Sequence, residues 1–250
     1  MTKIDLRLAV LTAILLAAGW MPAANAQLTE LLELDCLIEP HMVVKLGAPV
    51  TGVLESVEVE RGDVVKRGDV VARIDARAER ASMALARARL EFAERRMERN
   101  QALYDDDLLS AQEQDEMATE RQMAELVLKQ QRTALEIRTV RTPIDAVVVR
   151  RLRSPGELVQ ETEIFELAQI NPLNVEVVVP AEYFGGIVLG SMAEVVPAAP
   201  IGGSYEAKVT IVDRVIDAAS ETFGVRLEIP NRNLRIPAGI GCAVAFPIAD

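Results

Sequence analysis

The stretch from Ala76 to Arg138 constrains this chain more than any other. Its 63 residues contain neither Pro nor Gly and are rich in Ala, Leu, Glu, Arg, Gln and Met. These are strong helix formers, and neither common breaker interrupts them. One break stands near the middle. Tyr104-Asp105-Asp106-Asp107-Leu108-Leu109-Ser110 sets three carboxylates just ahead of a Ser able to cap a new helix. The pattern predicts two long helices folded back on each other around a tight tip. At about 1.5 Å of rise per residue, arms of about 28 residues reach about 40 Å. Helices of that length project from a small domain rather than lie across it.

A coiled-coil seam can be read along both arms. In the first, Ala78, Ala81, Leu85, Ala88, Phe92, Arg95 and Arg99 follow 3-4 spacing. In the second, Met117, Ala124, Leu128, Gln131 and Leu135 do so more loosely. Small residues allow close helix approach. The first seam turns polar toward the tip, at Arg95 and Arg99. Two readings stand open: these arginines pair with Glu113 or Glu116 on the return arm, or the tip is left exposed for another helical protein.

The segments flanking the helices are β-like and resemble each other. Val50 to Asp75 carries short Val-rich runs with Gly-Asp turn signals at 62–63 and 68–69. Thr139 to Ile170 repeats this at a constant offset of 94. Pro49 matches Pro143, Val53 matches Val147, Gly62 matches Gly156, Val65 matches Val159 and Val70 matches Ile164, with Glu157 in place of Asp63. Neither half has enough strands to bury a core alone, so the two are expected to form one small sandwich around the insertion. Before them, residues 27–45 form a lead-in strand region, and Met42 to Leu46 reads as a strand. After them, Asn174–Val179, Met192–Val196, Ala207–Asp213, Thr222–Ile229 and Ala243–Phe246 read as strands separated by Pro and Gly. A short helical turn falls between Ala181 and Ile187. This spacing suggests a small β-barrel over 171–250.

The first 26 residues read as a secretory signal. Lys3 and Arg7 precede an apolar run from Leu8 to Gly19, and Ala24-Asn25-Ala26 is a cleavage site, so the mature chain is expected to start at Gln27. The run is shorter than the roughly 20 residues that span a bilayer. Removing Lys3, Arg7 and Asp5 moves the formal charge from −11 to −12, with 25 basic residues against 37 acidic ones. Such a balance argues against nucleic acid and against docking on anionic lipid. Export permits a disulfide between Cys36 and Cys242, but two unpaired buried thiols fit the sequence as well. His41 is the only His and has no neighbouring ligand type, which argues against zinc and against a Ser-His-Asp triad. Asp105 to Asp107 read as a solvated turn rather than a cation site.

Taken together, these residues resemble the periplasmic adaptors, or membrane fusion proteins, of tripartite efflux systems in the RND and HlyD-like families. Leu46–Asp75 and Arg141–Leu167 look like two lipoyl-like halves enclosing a helical hairpin, and the barrel starting at Asn171-Pro172-Leu173-Asn174-Val175 completes the order. The resemblance implies a mainly β fold: a lipoyl-like β-sandwich (46–75 plus 139–170) split by an α-helical coiled-coil hairpin (76–138), then a small β-barrel (171–250). It also implies a hairpin-tip pattern of Arg, Leu and Ser, which Arg99, Leu103 and Ser110 match in spacing. Arg99 and Ser110 would hydrogen-bond an outer-membrane channel, and Leu103 would be an apolar anchor. Further implied are an inner-membrane RND or ABC transporter as partner, a homo-oligomeric ring such as a hexamer, a periplasmic location, and membrane association mainly through partners. No catalytic residue, metal or cofactor is expected, and no Lys lies between Lys66 and Lys129 to carry lipoate or biotin. The competing reading is an extracytoplasmic coiled-coil scaffold or ligand-binding protein.

Overall fold

The computed structural model describes residues 31–106, 108 and 110–247. The expected signal at 1–26 and the central Asp107 of the tip lie outside the described residues.

Among the described residues, twelve strands and two long helices are arranged around two cores. The first core takes side chains from both sides of the helical insertion: Leu54, Val71 and Ile74 from before it, and Val148, Ile164 and Leu167 from after it. The offset of 94 appears here as a pseudo-twofold. Strand β2 (Gly52–Val57) pairs with β7 (Leu158–Val159), and β3 (Val64–Val65) pairs with β6 (Ala146–Arg151). The Gly62 N–H donates to the Val148 carbonyl at 2.9 Å, and the Gly156 N–H to the Leu54 carbonyl at 2.8 Å. Both glycines have φ near +90°, a region that other residues enter at a steric cost. The exchange of Asp63 for Glu157 preserves the turn. Asp63 accepts from the Glu60 N–H and Glu157 from the Ser154 N–H, each at 2.8 Å.

The second core lies in a closed six-stranded barrel. Its strands run in the order β1 (Leu31–Gly47), β12 (Ile240–Pro247), β9 (Met192–Pro197), β10 (Tyr205–Val212), β11 (Thr222–Ile229) and β8 (Glu163–Pro180), and β8 pairs back with β1. Closure leaves this ring without a free edge. Two features go beyond the sequence reading. Strand β8 runs unbroken through position 170, so its first half belongs to the sandwich and its second to the barrel. Strand β1 does the same in reverse. Leu34, Cys36 and Ile38 from the lead-in pack with the barrel core, while Val44 and Leu46 pack with the sandwich core. The ladder between β1 and β8 shifts register between Pro40 and Met42, a bulge that tolerates Pro inside a strand. Cys36 and Cys242 face each other across β1 and β12 and are bonded. Of the two alternatives left open above, the structure takes the disulfide.

Strand β4 (Val70–Ile74) leads into helix α1 (Arg77–Asp105), and helix α2 (Ala111–Glu136) returns into β5 (Thr139–Arg141). Lys66 and Asp145, beside the start of β4, face Ile170, Asn171 and Arg232 across a crevice next to the barrel. The other end of β4 feeds α1, so the helices leave the sandwich on the side away from the barrel. Their root is clamped by Arg138. Its guanidinium meets Glu79 at 2.6 Å and donates to the Thr51 and Asp75 carbonyls. It passes over Gly52, where a Cβ would collide with the guanidinium and with Ile74.

Candidate functional site

The two helices pack antiparallel. Glu79 meets Arg138 at the root, Arg96 meets Glu120 at 2.6 Å farther out, and Asn100 meets Met117 at 3.3 Å nearer the tip. In α2 the buried or half-buried positions are Gln114, Met117, Arg121, Ala124, Leu128, Gln131 and Leu135, with Ala118 and Ala134 beside them. This is the seam that the spacing predicts. In α1 it is not. The buried and half-buried positions are Ala76, Glu79, Met83, Ala86, Leu90, Ala93, Met97, Asn100 and Tyr104, in strict 3-4 alternation. The expected stripe of Ala78, Ala81, Leu85, Ala88, Phe92, Arg95 and Arg99 lies two residues away, about 200° around the helix, and is exposed. Leu85 and Phe92 are 55% and 52% exposed. Arg95 and Arg99 therefore do not sit in the seam. A seam through Leu90, Ala93 and Met97 stays apolar close to the tip, which is the physical reason it prevails over one ending in two arginines.

The end of the pair is built by caps. The Asp106 N–H donates to the Ala102 carbonyl, and the Leu108 N–H reaches the Leu103 carbonyl at 2.8 Å. Ser110 then starts α2 through a capping box. Its Oγ accepts from the Glu113 N–H, and the Glu113 carboxylate accepts from the Ser110 N–H at 2.8 Å. These Ser110 bonds hold the Glu113 carboxyl below its usual value, the backbone bond being the larger cause.

Glu113 is thus occupied by the cap, and Glu116 accepts from Gln112 on its own helix. Arg95 reaches Glu91 at 4.0 Å, also on its own helix. Among the described residues no carboxylate lies within 4 Å of the Arg99 guanidinium. The pairing of Arg95 or Arg99 with the return arm is replaced by Arg96 with Glu120, an exposed pair worth about 0.2–1 kcal/mol.

Arg99 and Leu103 stand one turn apart on the exposed face of α1, and Ser110 opens α2 across the tip. Ser110 already carries a structural duty. Leu108, which the spacing did not single out, is 70% exposed. The signal for it was an apolar residue set between a run of acids and a cap, where no core can reach it. No cluster of three or more His, Cys, Asp or Glu side chains suited to a metal occurs among the described residues.

A split sandwich carrying a helix pair and sharing two strands with a closed barrel is the barrel-sandwich hybrid architecture. Residues 42–169 match the family model described as CzcB-like, barrel-sandwich hybrid domain. The chain belongs to that family, and its kin are membrane fusion, or periplasmic adaptor, proteins. Solved structures agree in fold. A MacA–MexA chimera containing the Pseudomonas aeruginosa MexA α-hairpin domain is 22% identical, with 89% of this chain and 83% of that chain covered and a TM-score of 0.74. A putative efflux transporter from Bacteroides eggerthii is 22% identical, with coverages of 88% and 70% and a TM-score of 0.69. ZneB from Cupriavidus metallidurans is 25% identical, with coverages of 86% and 97% and a TM-score of 0.53. No curated protein matches the chain in sequence at a significant level.

Proposed function

We propose that this protein is a non-catalytic periplasmic adaptor that joins an inner-membrane transporter to an outer-membrane channel for efflux. The observation that carries the reading is the exposed end of the helix pair, with Arg99, Leu103 and Leu108 free of the seam and set on the side of the sandwich away from the barrel. A helical channel tip offers carbonyls and apolar grooves to such residues. Ser110 has its hydroxyl engaged in the cap, so its part in docking is to fix the turn that presents Leu103 and Leu108. An RND-type transporter is the first partner to test, and an ABC-type exporter the second.

The outward stripe of α1 supports a ring of copies. Leu85 and Phe92 lie exposed at heptad spacing, and α2 exposes Met123 and Leu126. Helix α1 carries seven Arg against five acids, and α2 three basic residues against six acids. The α1 face of one copy is therefore complementary to the α2 face of the next.

Co-purification from cells tests the docking reading. Wild-type protein is expected to retain both a transporter and a channel, while Arg99→Asp combined with Leu103→Asp loses the channel and keeps the transporter. Unchanged export and unchanged channel capture by that double variant would sink the assignment.

A further inference from the structure

We propose that the end of the barrel farthest from the helix pair inserts two apolar loops into the interface of a lipid bilayer. Four strand ends converge there: the end of β8 at Pro180, the start of β9 at Met192, the end of β10 at Val212 and the start of β11 at Thr222. The loops 181–191 and 213–221 that join them are tied together by the Ala181 N–H donating to the Glu221 carbonyl at 2.8 Å. They present Phe184, Val188, Leu189, Val215 and Ile216 to solvent, with Leu189 at 70% and Val215 at 80% exposure. Phe184 keeps a fixed stance through its edge contact with Phe223 at 5.3 Å. Single exposed apolar residues are ordinary, but five on adjacent loops at one end form a patch that calls for a partner.

Two observations select lipid. The first is where the chain enters the fold. Leu31 begins β1 opposite Pro247, the last residue of β12, and β12 ends beside the start of β9. The amino-terminal segment therefore joins the barrel at this same end. From the expected cleavage site at Ala26 to Leu31 is a reach of roughly 17 Å even when fully extended. A signal held in the membrane would keep this end of the barrel within that reach of the bilayer. The second is charge placement. Asp217 is turned into its own loop, accepting from the Ala219 N–H at 2.7 Å and the Ser220 N–H at 3.3 Å, and Asp213 packs over Gly224. Arg214 stands next to Val215 with no carboxylate within 4 Å among the described residues. A cation flanking an apolar prong suits the headgroup boundary, where its stem lies in the apolar layer and its head among phosphates. Glu182, Asp213, Asp217 and Glu221 are all exposed against the single exposed Arg214, so the loops as a whole are acidic and the surface fits neutral headgroups better than anionic ones.

This surface is independent of the partner proposed for the helix tip, and vesicles without other proteins test it alone. The processed chain, with cleavage after Ala26 verified by mass, is mixed with vesicles of phosphatidylcholine and floated on a density gradient. The expected result is flotation that persists in high salt and weakens when phosphatidylglycerol is added. Leu189→Asp and Val215→Asp are each expected to weaken partitioning roughly tenfold, with thermal unfolding unchanged because both sites are exposed. Leu85→Asp, on the helix pair, is expected to float as wild type does. No flotation, flotation untouched by either loop variant, or flotation only on anionic vesicles and abolished by salt would each overturn the proposal.

Discussion

The two arms of the helix pair obey the same physics and differ in how plainly they display it. In α2 the stripe through Met117, Ala124 and Leu128 is the one that packs. In α1 two stripes keep 3-4 spacing on opposite faces, Ala86–Leu90–Ala93–Met97 inward and Ala81–Leu85–Ala88–Phe92 outward. A helix apolar on both sides has two surfaces to satisfy, and one chain can cover only one of them. What the difference teaches is that local spacing cannot choose between rival seams. The choice depends on which stripe stays apolar over the whole length of contact.

Substitutions can break or sharpen this contrast. The largest effect is expected for Ala93→Glu. It places an unpaired carboxylate at a buried helix contact and should cost about 3 kcal/mol or more, read as loss of helical signal or of amide protection in both helices. Next comes Leu128→Ala, which removes a buried side chain from the partner arm and should cost about 2–4 kcal/mol in chemical unfolding of the helix pair. Ser110→Ala should cost about 1 kcal/mol and fray the first turn of α2 in hydrogen exchange. The same cap has a pH signature. Because folding lowers the Glu113 pKa, its contribution is complete above the ordinary carboxylate value and is lost as pH falls through the lowered one. Protection factors at Ala111 to Gln114, corrected for intrinsic exchange, should therefore fall as pH drops below the ordinary carboxylate value, and in Glu113→Gln this step should vanish. Smallest is Phe92→Ser, expected to change monomer stability by about 0.5 kcal/mol or less while weakening self-association in sedimentation. A large loss of stability from Phe92→Ser, or none from Ala93→Glu, would reverse the assignment of inner and outer faces.

The β part was legible where it repeats itself. Matching Gly62 with Gly156, and Asp63 with Glu157, is enough to find two turns that prove geometrically equivalent, because a turn is set by a few residues close in sequence. The long strands were harder. Leu32-Glu33-Leu34-Asp35-Cys36 alternates as a strand should, yet Pro40 reads as a stop, and only a bulge against β8 lets β1 continue past it. Asn171-Pro172 hid the continuity of β8 in the same way. Whether Cys36 reaches Cys242 depends on closure of the whole barrel, which no local pattern states. At the tip, the cap was visible in Ser110, whereas the role of Glu113 in it, read from the sequence as a partner for Arg95 or Arg99, and the exposure of Leu108 follow from the fold of a turn that sequence alone does not draw.

Closure of the barrel also orders events in time. Strand β1 finds one neighbour in β12, and the cysteines that join them are separated by 206 positions. A chain threaded through a membrane amino end first delivers β1 at the outset and β12 at the close. Leu34 and Ile38 must therefore wait, half-paired, while the helices are already free to fold on local contacts. Strand β1 thus emerges long before the strand that matches it, and the interval between them is when its unpaired edge most needs shelter from its neighbours.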